Sequence, residues 1–279
     1  MHVSLWKKPA LAAVAVVTAF AVSACGVTSG ASEAPKQANA LELLASDLKG
    51  SLQKAVEVTD ETDSVTVTMT GTMGGQKVSM QGFLDLGDPA RAEMKMTNAD
   101  GTTAVVRMID AVFYVEMPAE KRAGLGGKRW MKMDLSGLSE TAGTSFSKQF
   151  EDADPVKQVK TLLALEGTTV VGQETVNGVP TVHYTVTTPV ATYLKQIDAM
   201  RRESTEETLA AQGVKELTID LWVDEQYRPR RAGLLMGKMG DLVIDYTDYG
   251  KAVTIETPPA AETADFAEML KGLQGLTTT

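Results

Sequence analysis

The segments "SVTVTMT", Ser64 to Thr70, and "KVSMQGFLDL", Lys77 to Leu86, carry the pattern on which the fold turns. In the first, Val65, Val67 and Met69 alternate with threonines; in the second, Val78, Met80, Gly82, Leu84 and Leu86 recur at every other position. Successive side chains of an extended strand point to opposite sides, so a period of two gives each segment one apolar face. The pattern continues outward. Ala92, Met94 and Met96 follow the turn at Gly87-Asp88-Pro89, and "NADG" at 98–101 predicts a hairpin into "TTAVVRMID". A tight reversal at Asp110 leads to "AVFYVEM", and "RWMKMDL" ends the first half. In the second half, "TTVVGQETVNG" and "VPTVHYTVTT" pair across Asn177-Gly178, and three last strands follow in "KELTIDLWVD", "RRAGLLMGKM" and "DLVIDYTDYG".

Helical periods interrupt and flank these strands. Leu41, Leu44, Leu48, Leu52, Ala55 and Val56 recur at three and four residues, predicting an amphipathic helix from Ala40 to Val58. The stretch "SFSKQFEDADPVKQVKTLLAL", 145–165, predicts another, with Pro155 suited to its first turn after Asp154. A third is expected over 189–212, closed by Gly213, and a helical tail over 262–273. An antiparallel sheet of about ten or eleven strands tends to twist and curl, and its apolar face must be covered. The expected fold class is therefore α+β: a curled half-barrel covered by helices around an apolar cavity.

The N-terminal end has a different composition. A basic start, with Lys7 and Lys8, precedes an apolar run from Ala10 to Val22 and a small-residue patch, Ser23 and Ala24. This is the layout of a secretory signal, residues 1–24. At 1.5 Å per residue the run spans about 20 Å, short of a roughly 30 Å hydrocarbon core. Cys25 follows at once and is the only cysteine. Val22-Ser23-Ala24-Cys25 resembles a bacterial lipobox, in which diacylglyceryl and fatty acyl chains such as palmitate are attached to the new N-terminal cysteine. Two or three chains hold a protein on a bilayer where one does not. The alternative is ordinary cleavage after Val-Ser-Ala, leaving a free thiol. Residues 25–40, small and polar, read as a flexible tether, and 41–279 as a single lipid-binding domain. The expected location is the extracytoplasmic face of the cell membrane. With a net charge of −9, more negative still once Lys7 and Lys8 are removed, the chain is not expected to bind nucleic acid or anionic lipid heads. Its contact with the cytoplasmic membrane would run through N-terminal acyl chains.

The phrases "ETVNGVPTVHY" (174–184), "LTIDLWVDEQYRPRR" (217–231) and "IDYTDYGKAVTIETPPAAETADFAEML" (244–270) add to the lipobox. Together they resemble the actinobacterial LppX/LprG lipoprotein family, related in fold to the bacterial outer-membrane lipoprotein carrier. The resemblance implies a half-barrel of antiparallel strands covered by helices, with an apolar cavity for the acyl chains of lipids or glycolipids. It also implies a part in moving such lipids toward the outer envelope. Individual ligand-contacting residues do not follow from it.

Methionine points to a cavity on separate grounds. Of 14 methionines, eleven lie in or beside the strands: Met69, Met73, Met80, Met94, Met96, Met108, Met117, Met131, Met133, Met236 and Met239. Unbranched, polarizable thioethers adapt to changing apolar partners, although they also fill ordinary cores. The ligand wall is assigned to Val67, Met69, Met80, Leu84, Met94, Met96, Phe113, Val115 and Ile244, with Leu217, Ile219 and Leu221 from one strand and Val223 extending its row. Burying about ten methylenes at about 0.8 kcal/mol each gives on the order of 8 kcal/mol before ordering costs, reversible enough for a carrier. The segment "AGLGGKR", 123–129, reads either as a mobile mouth loop or as a long turn.

Catalytic readings find little to stand on. Besides His2, His183 is the only histidine, on a strand and facing away from Val182 and Tyr184. Ser-x-x-Lys occurs at Ser46–Lys49, Ser51–Lys54 and Ser145–Lys148 without the K-T-G and S-D-N elements of acyl-serine enzymes. The clusters "DETD" (60–63) and "EDAD" (151–154) lack calcium-loop spacing. The expectation is a non-enzymatic lipid-binding and lipid-transporting lipoprotein without metal or cofactor, with an envelope or export protein as a further partner. Two competing readings stay open: a sensor or accessory envelope lipoprotein with a filled core that acts through protein contacts, and a hydrolase using Ser145 and Lys148.

Overall fold

A computed structural model describes residues 40–87, 89–97, 101–110, 112–134, 153–197 and 199–269. The signal, Cys25, nearly all of the tether, the Ser145–Lys148 pair and the first half of the helix expected over 145–165 lie outside these residues.

Two antiparallel meanders make one sheet. The first runs through β1 (Ser64–Met73), β2 (Gln76–Asp85), β3 (Arg91–Thr97), β4 (Thr103–Ile109), β5 (Val112–Glu116) and β6 (Trp130–Asp134). The second comprises β7 (Thr169–Val176), β8 (Val179–Pro189), β9 (Glu216–Asp224), β10 (Pro229–Leu235) and β11 (Gly240–Thr247). They join where β1 pairs with β11, Met69 opposite Ile244. A short twelfth strand, β12 (Thr263–Asp265), adds parallel to β6, so the order is β12-β6-β5-β4-β3-β2-β1-β11-β10-β9-β8-β7. Its ends do not meet, and the sheet is a large, curled, unclosed one in an α+β fold.

Local chemistry sets the registers. Asn177 and Gly178 take φ of 49° and 81°, the left-handed pair of a two-residue hairpin whose twist matches the flanking strands, and Val176 faces Val179 across it. Gly82 lies on the inner face between Val67 and Met94, where a Cβ would run into the Glu93 carbonyl and Met94. Its missing side chain lets β2 and β3 approach closely within the curl.

The helix expected over 40–58 is two, α1 (Ala40–Ser46) and α2 (Leu48–Asp60). Asp47 divides them: its carboxylate accepts from the Gly50 N–H at 3.0 Å as the cap of α2. Asp154 caps α3 (Pro155–Ala164) in the same way, accepting from Val156 N–H at 2.8 Å, with Pro155 in the first turn. The helix expected over 189–212 is also two, α4 (Val190–Tyr193) and α5 (Ala199–Ala211). Between them the Leu194 carbonyl accepts from Arg202 Nε at 2.8 Å, so a side chain satisfies it. In the expected helical tail, 263–265 is strand β12, and helix begins at Phe266. The β12 pairing with β6, which no local period announces, overrides helix propensity there. The segment 119–125 forms a 3-10 helix ending in Gly126 and Gly127, a structured turn.

The core lies between α1, α2 and α3 and the concave face. Leu44, Leu52, Ala55, Val159 and Leu162 meet Val65, Val67, Leu84, Tyr184, Leu221 and Tyr246, all essentially removed from water. Each large aliphatic among them contributes about 2 kcal/mol of burial. The Tyr184 hydroxyl donates to the Leu44 carbonyl at 2.8 Å, tying α1 to β8.

Candidate functional site

Beside this core the concave face is not filled. A cavity of about 440 Å³ lies over β1, β9, β10 and β11 and under α3, α4 and α5. Its floor is the inward row of these strands: Met69 from β1, Leu217 and Ile219 from β9, Leu234 from β10, Leu242 and Ile244 from β11. Alternation puts them there, since each is two residues from the next inward side chain of its strand. Met73, Met236 and Met239 close one end, where Leu209, Val214, Leu217 and Met236 form a second small apolar cluster.

The helical side carries most of the polar groups. Gln158 and Thr161 of α3, Gln196 after α4, and Ser204, Thr205 and Thr208 of α5 line it, and among the described residues Lys157 is the one charged side chain in the lining. Gln196, Ser204 and Thr208 are exposed, so the cavity reaches water along α5. An apolar floor and a polar rim suit an amphiphile, and the volume falls in the range of about 300–1,000 Å³ of small-molecule sites.

The twelve wall residues assigned from sequence divide into groups. Met69, Leu217, Ile219 and Ile244 line the cavity. Val67, Leu84, Met94 and Leu221 lie in the packed core under the helices, with Met80 against them. Phe113 is buried on β5, Val115 half-buried beside it, and Met96 is 38% exposed at the outer end of β3. All point inward, but the helices pack directly on some parts of the face and stand away from others. The wall assignment left out Met73, Met236 and Met239, which flank turns and entered only as part of the methionine set that pointed to a cavity, and it missed Tyr193, Ile197 and Leu209 from the helical side. Their apolar character within polar segments was the available signal.

No model of a known protein family matches the sequence. An uncharacterized 31.2 kDa protein of Streptomyces griseus is 32% identical over 236 residues, covering 80% of this chain and 76% of its own. A Streptomyces coelicolor protein named as a lipoprotein is 30% identical over 238 residues, covering 78% and 75%. Among solved structures, lipoprotein LppX of Mycobacterium tuberculosis aligns over 75% of this chain and 98% of its own, with TM-score 0.50 and 16% identity. LprF of Mycobacterium bovis aligns over 77% and 98%, also with TM-score 0.50 and 16% identity. The chain belongs to one family with these Streptomyces proteins, one of them named a lipoprotein, and shares its fold with LppX and LprF.

Within this LppX/LprG-like fold the polar clusters away from the cavity serve structure. His183 lies on the outer face of β8, stacked on Trp222 at 4.1 Å, with its ring nitrogens 3.0 Å from Glu174 and 2.9 Å from Asp220. The Trp222 indole N–H, donating at 2.7 Å, and His183 hold the Glu174 carboxyl below its ordinary value. Ser51 is buried against Tyr184, whereas Lys54 faces water and pairs with Glu57 at 3.0 Å, so Ser51 and Lys54 form no dyad. A smaller hollow of about 240 Å³ near the end of α2 is lined by Asp60, Asp85, Arg91 and Asp154; burial raises the Asp154 carboxyl above its ordinary value. Its charges make it a poor seat for hydrocarbon.

Proposed function

We propose that this chain is a membrane-anchored, non-enzymatic lipoprotein that binds a lipid-like ligand in the 440 Å³ cavity and, as a carrier, passes it on. The observation that carries the reading is the apolar floor of Met69, Leu217, Ile219, Leu234, Leu242 and Ile244 facing a hydrogen-bonding rim that opens to water. A filled fold would have no use for such an arrangement: unfilled apolar space lowers stability by forfeiting packing contacts. The anchor is assigned to acyl chains on Cys25, which places the domain on the extracytoplasmic face of the membrane, with residues 26–40 as its leash. The acidic charge fits a body held by that anchor and not by basic contacts with lipid heads.

A second reading, an accessory or sensor lipoprotein working through protein contacts, draws on the close packing of Val67, Leu84 and Leu221, which leaves much of the concave face without free volume. Purifying the full chain from native membranes and analysing it by mass spectrometry separates the two. The lipid-binding reading expects a co-purifying lipid that survives detergent exchange. Protein that arrives bare and takes up no added lipid refutes it in favour of protein contacts.

A further inference from the structure

We infer that Met73, Met236 and Met239 form a binding site for a soft monovalent metal ion, Cu(I), at one end of the cavity. This does not rest on the lipid-binding reading, because the ligands come from the turns of the sheet itself.

Backbone pairing brings the three side chains to one place. Met73 ends β1 and stands opposite Gly240, the residue that follows Met239. The Gly74 N–H donates to the Met239 carbonyl at 2.8 Å, joining the turn after β1 to the turn after β10. Within that second turn the Met239 N–H donates to the Met236 carbonyl at 3.1 Å, closing a 3-10 turn over 237–239. All three methionines line the cavity and share one apolar cluster with Leu209 and Leu217. Each is unbranched and can swing its sulfur toward a common point.

The ligand type selects the ion. Thioether sulfur is a weak hydrogen-bond acceptor but a soft, polarizable ligand, and soft sulfur ligands favour Cu(I) over harder divalent ions. Thioethers add no charge, so an ion in apolar surroundings keeps its own, and a single positive charge costs far less to desolvate than two. Met236 is 4% exposed, whereas Met73 and Met239 are half-buried beside the exposed Gly74, Gly75 and Gly237. One ligand is thus shielded and two are reachable, which gives the ion a way in. Lys238 and Asp241, the charged residues of this turn, are exposed and of opposite sign. A purely apolar plug would ask only for volume, which leucine fills with better-defined rotamers.

The test titrates the full chain, carrying Cys25→Ser so that no thiol competes, with Cu(I) kept reduced by ascorbate, against the coloured chelator bicinchoninate. The chain should withdraw one equivalent from the chelator, and Zn(II) in excess should not displace it. Ag(I), a redox-inert stand-in, should shift three methionine methyl signals in the NMR spectrum. The triple variant Met73→Leu, Met236→Leu, Met239→Leu conserves apolar volume and should lose that equivalent while circular dichroism stays unchanged. Met239→Leu alone, at a half-buried turn, should weaken uptake and serves if the triple variant does not fold. Met96→Leu with Met133→Leu, on β3 and β6, should leave uptake intact. Undiminished uptake by the triple variant, or by Met239→Leu in its place, would overturn the site. So would equal loss in the Met96 and Met133 pair, or displacement by Zn(II). None of these outcomes touches lipid binding, which the co-purification experiment reads separately.

Discussion

Asp224 organises the turn from β9 to β10. It is 1% exposed at the end of β9, where Oδ1 accepts from the Gln226 and Arg228 N–H groups, both at 2.9 Å, and Oδ2 from Arg230 Nε at 2.6 Å. The connection to β10 depends on it, including Tyr227 at a φ of 61°. Asp224→Ala would leave these partly buried donors without their acceptor. The expected cost is about 3 kcal/mol, read as a lower urea midpoint at unchanged m-value. Glu174 makes a different point. Its carboxyl is held low, first by the Trp222 indole N–H and then by His183, so its contribution to stability is present above the ordinary carboxylate value and is lost as pH falls through the lowered one. Trp222→Phe removes the larger cause. The Glu174 titration followed by carboxyl NMR should then move up toward its ordinary value; an unmoved midpoint would contradict this account.

Where β1 leaves the centre of the sheet, it passes very close to β11. Gly240 has a φ of 135°, open almost only to glycine, and a Cβ there would enter the Thr72 carbonyl. Gly240→Ala should cost at least about 2 kcal/mol through backbone strain and this clash, read as a lower melting temperature. Elements differ in how far they could be read from the chain itself. The hairpin at Asn177-Gly178 was legible because its turn residues permit only one geometry, and the cap at Asp154 because Pro155 follows it. The break at Asp47 was not, since Leu44, Leu48 and Leu52 keep the same helical face on both sides of it. Strand β12 was hidden because its residues are helix-compatible and its partner, β6, is more than a hundred residues away.

For the whole molecule, the curled sheet followed from alternation, but the cavity's position did not. Inward residues at packed and unpacked places have the same period; Leu221 and Ile219 are one inward step apart on β9, yet only Ile219 lines the cavity. What separates them is how closely the helices approach, which depends on long-range packing. This makes stability and binding opponents at the boundary. Ala232 lies between core and cavity on β10, and Ala232→Leu would push its added carbons into free space. It should stabilise the chain by about 1 kcal/mol, a rise of roughly 2–4 °C in melting temperature, while reducing the amount of co-purifying lipid read by mass spectrometry. A variant that gains neither stability nor loses occupancy would mean that the space is not where the ligand sits.

The pairing of β1 with β11 also sets a clock. The strand that begins the sheet waits for a neighbour that begins 176 residues after it, at Gly240. Until then the two ribbons can each zip locally, but the join between them stays open, and closing so long a loop is slow and entropically costly. A chain stalled or clipped before residue 240 would therefore be left as two half-sheets with raw edges, greasy on one side and prone to stick to each other.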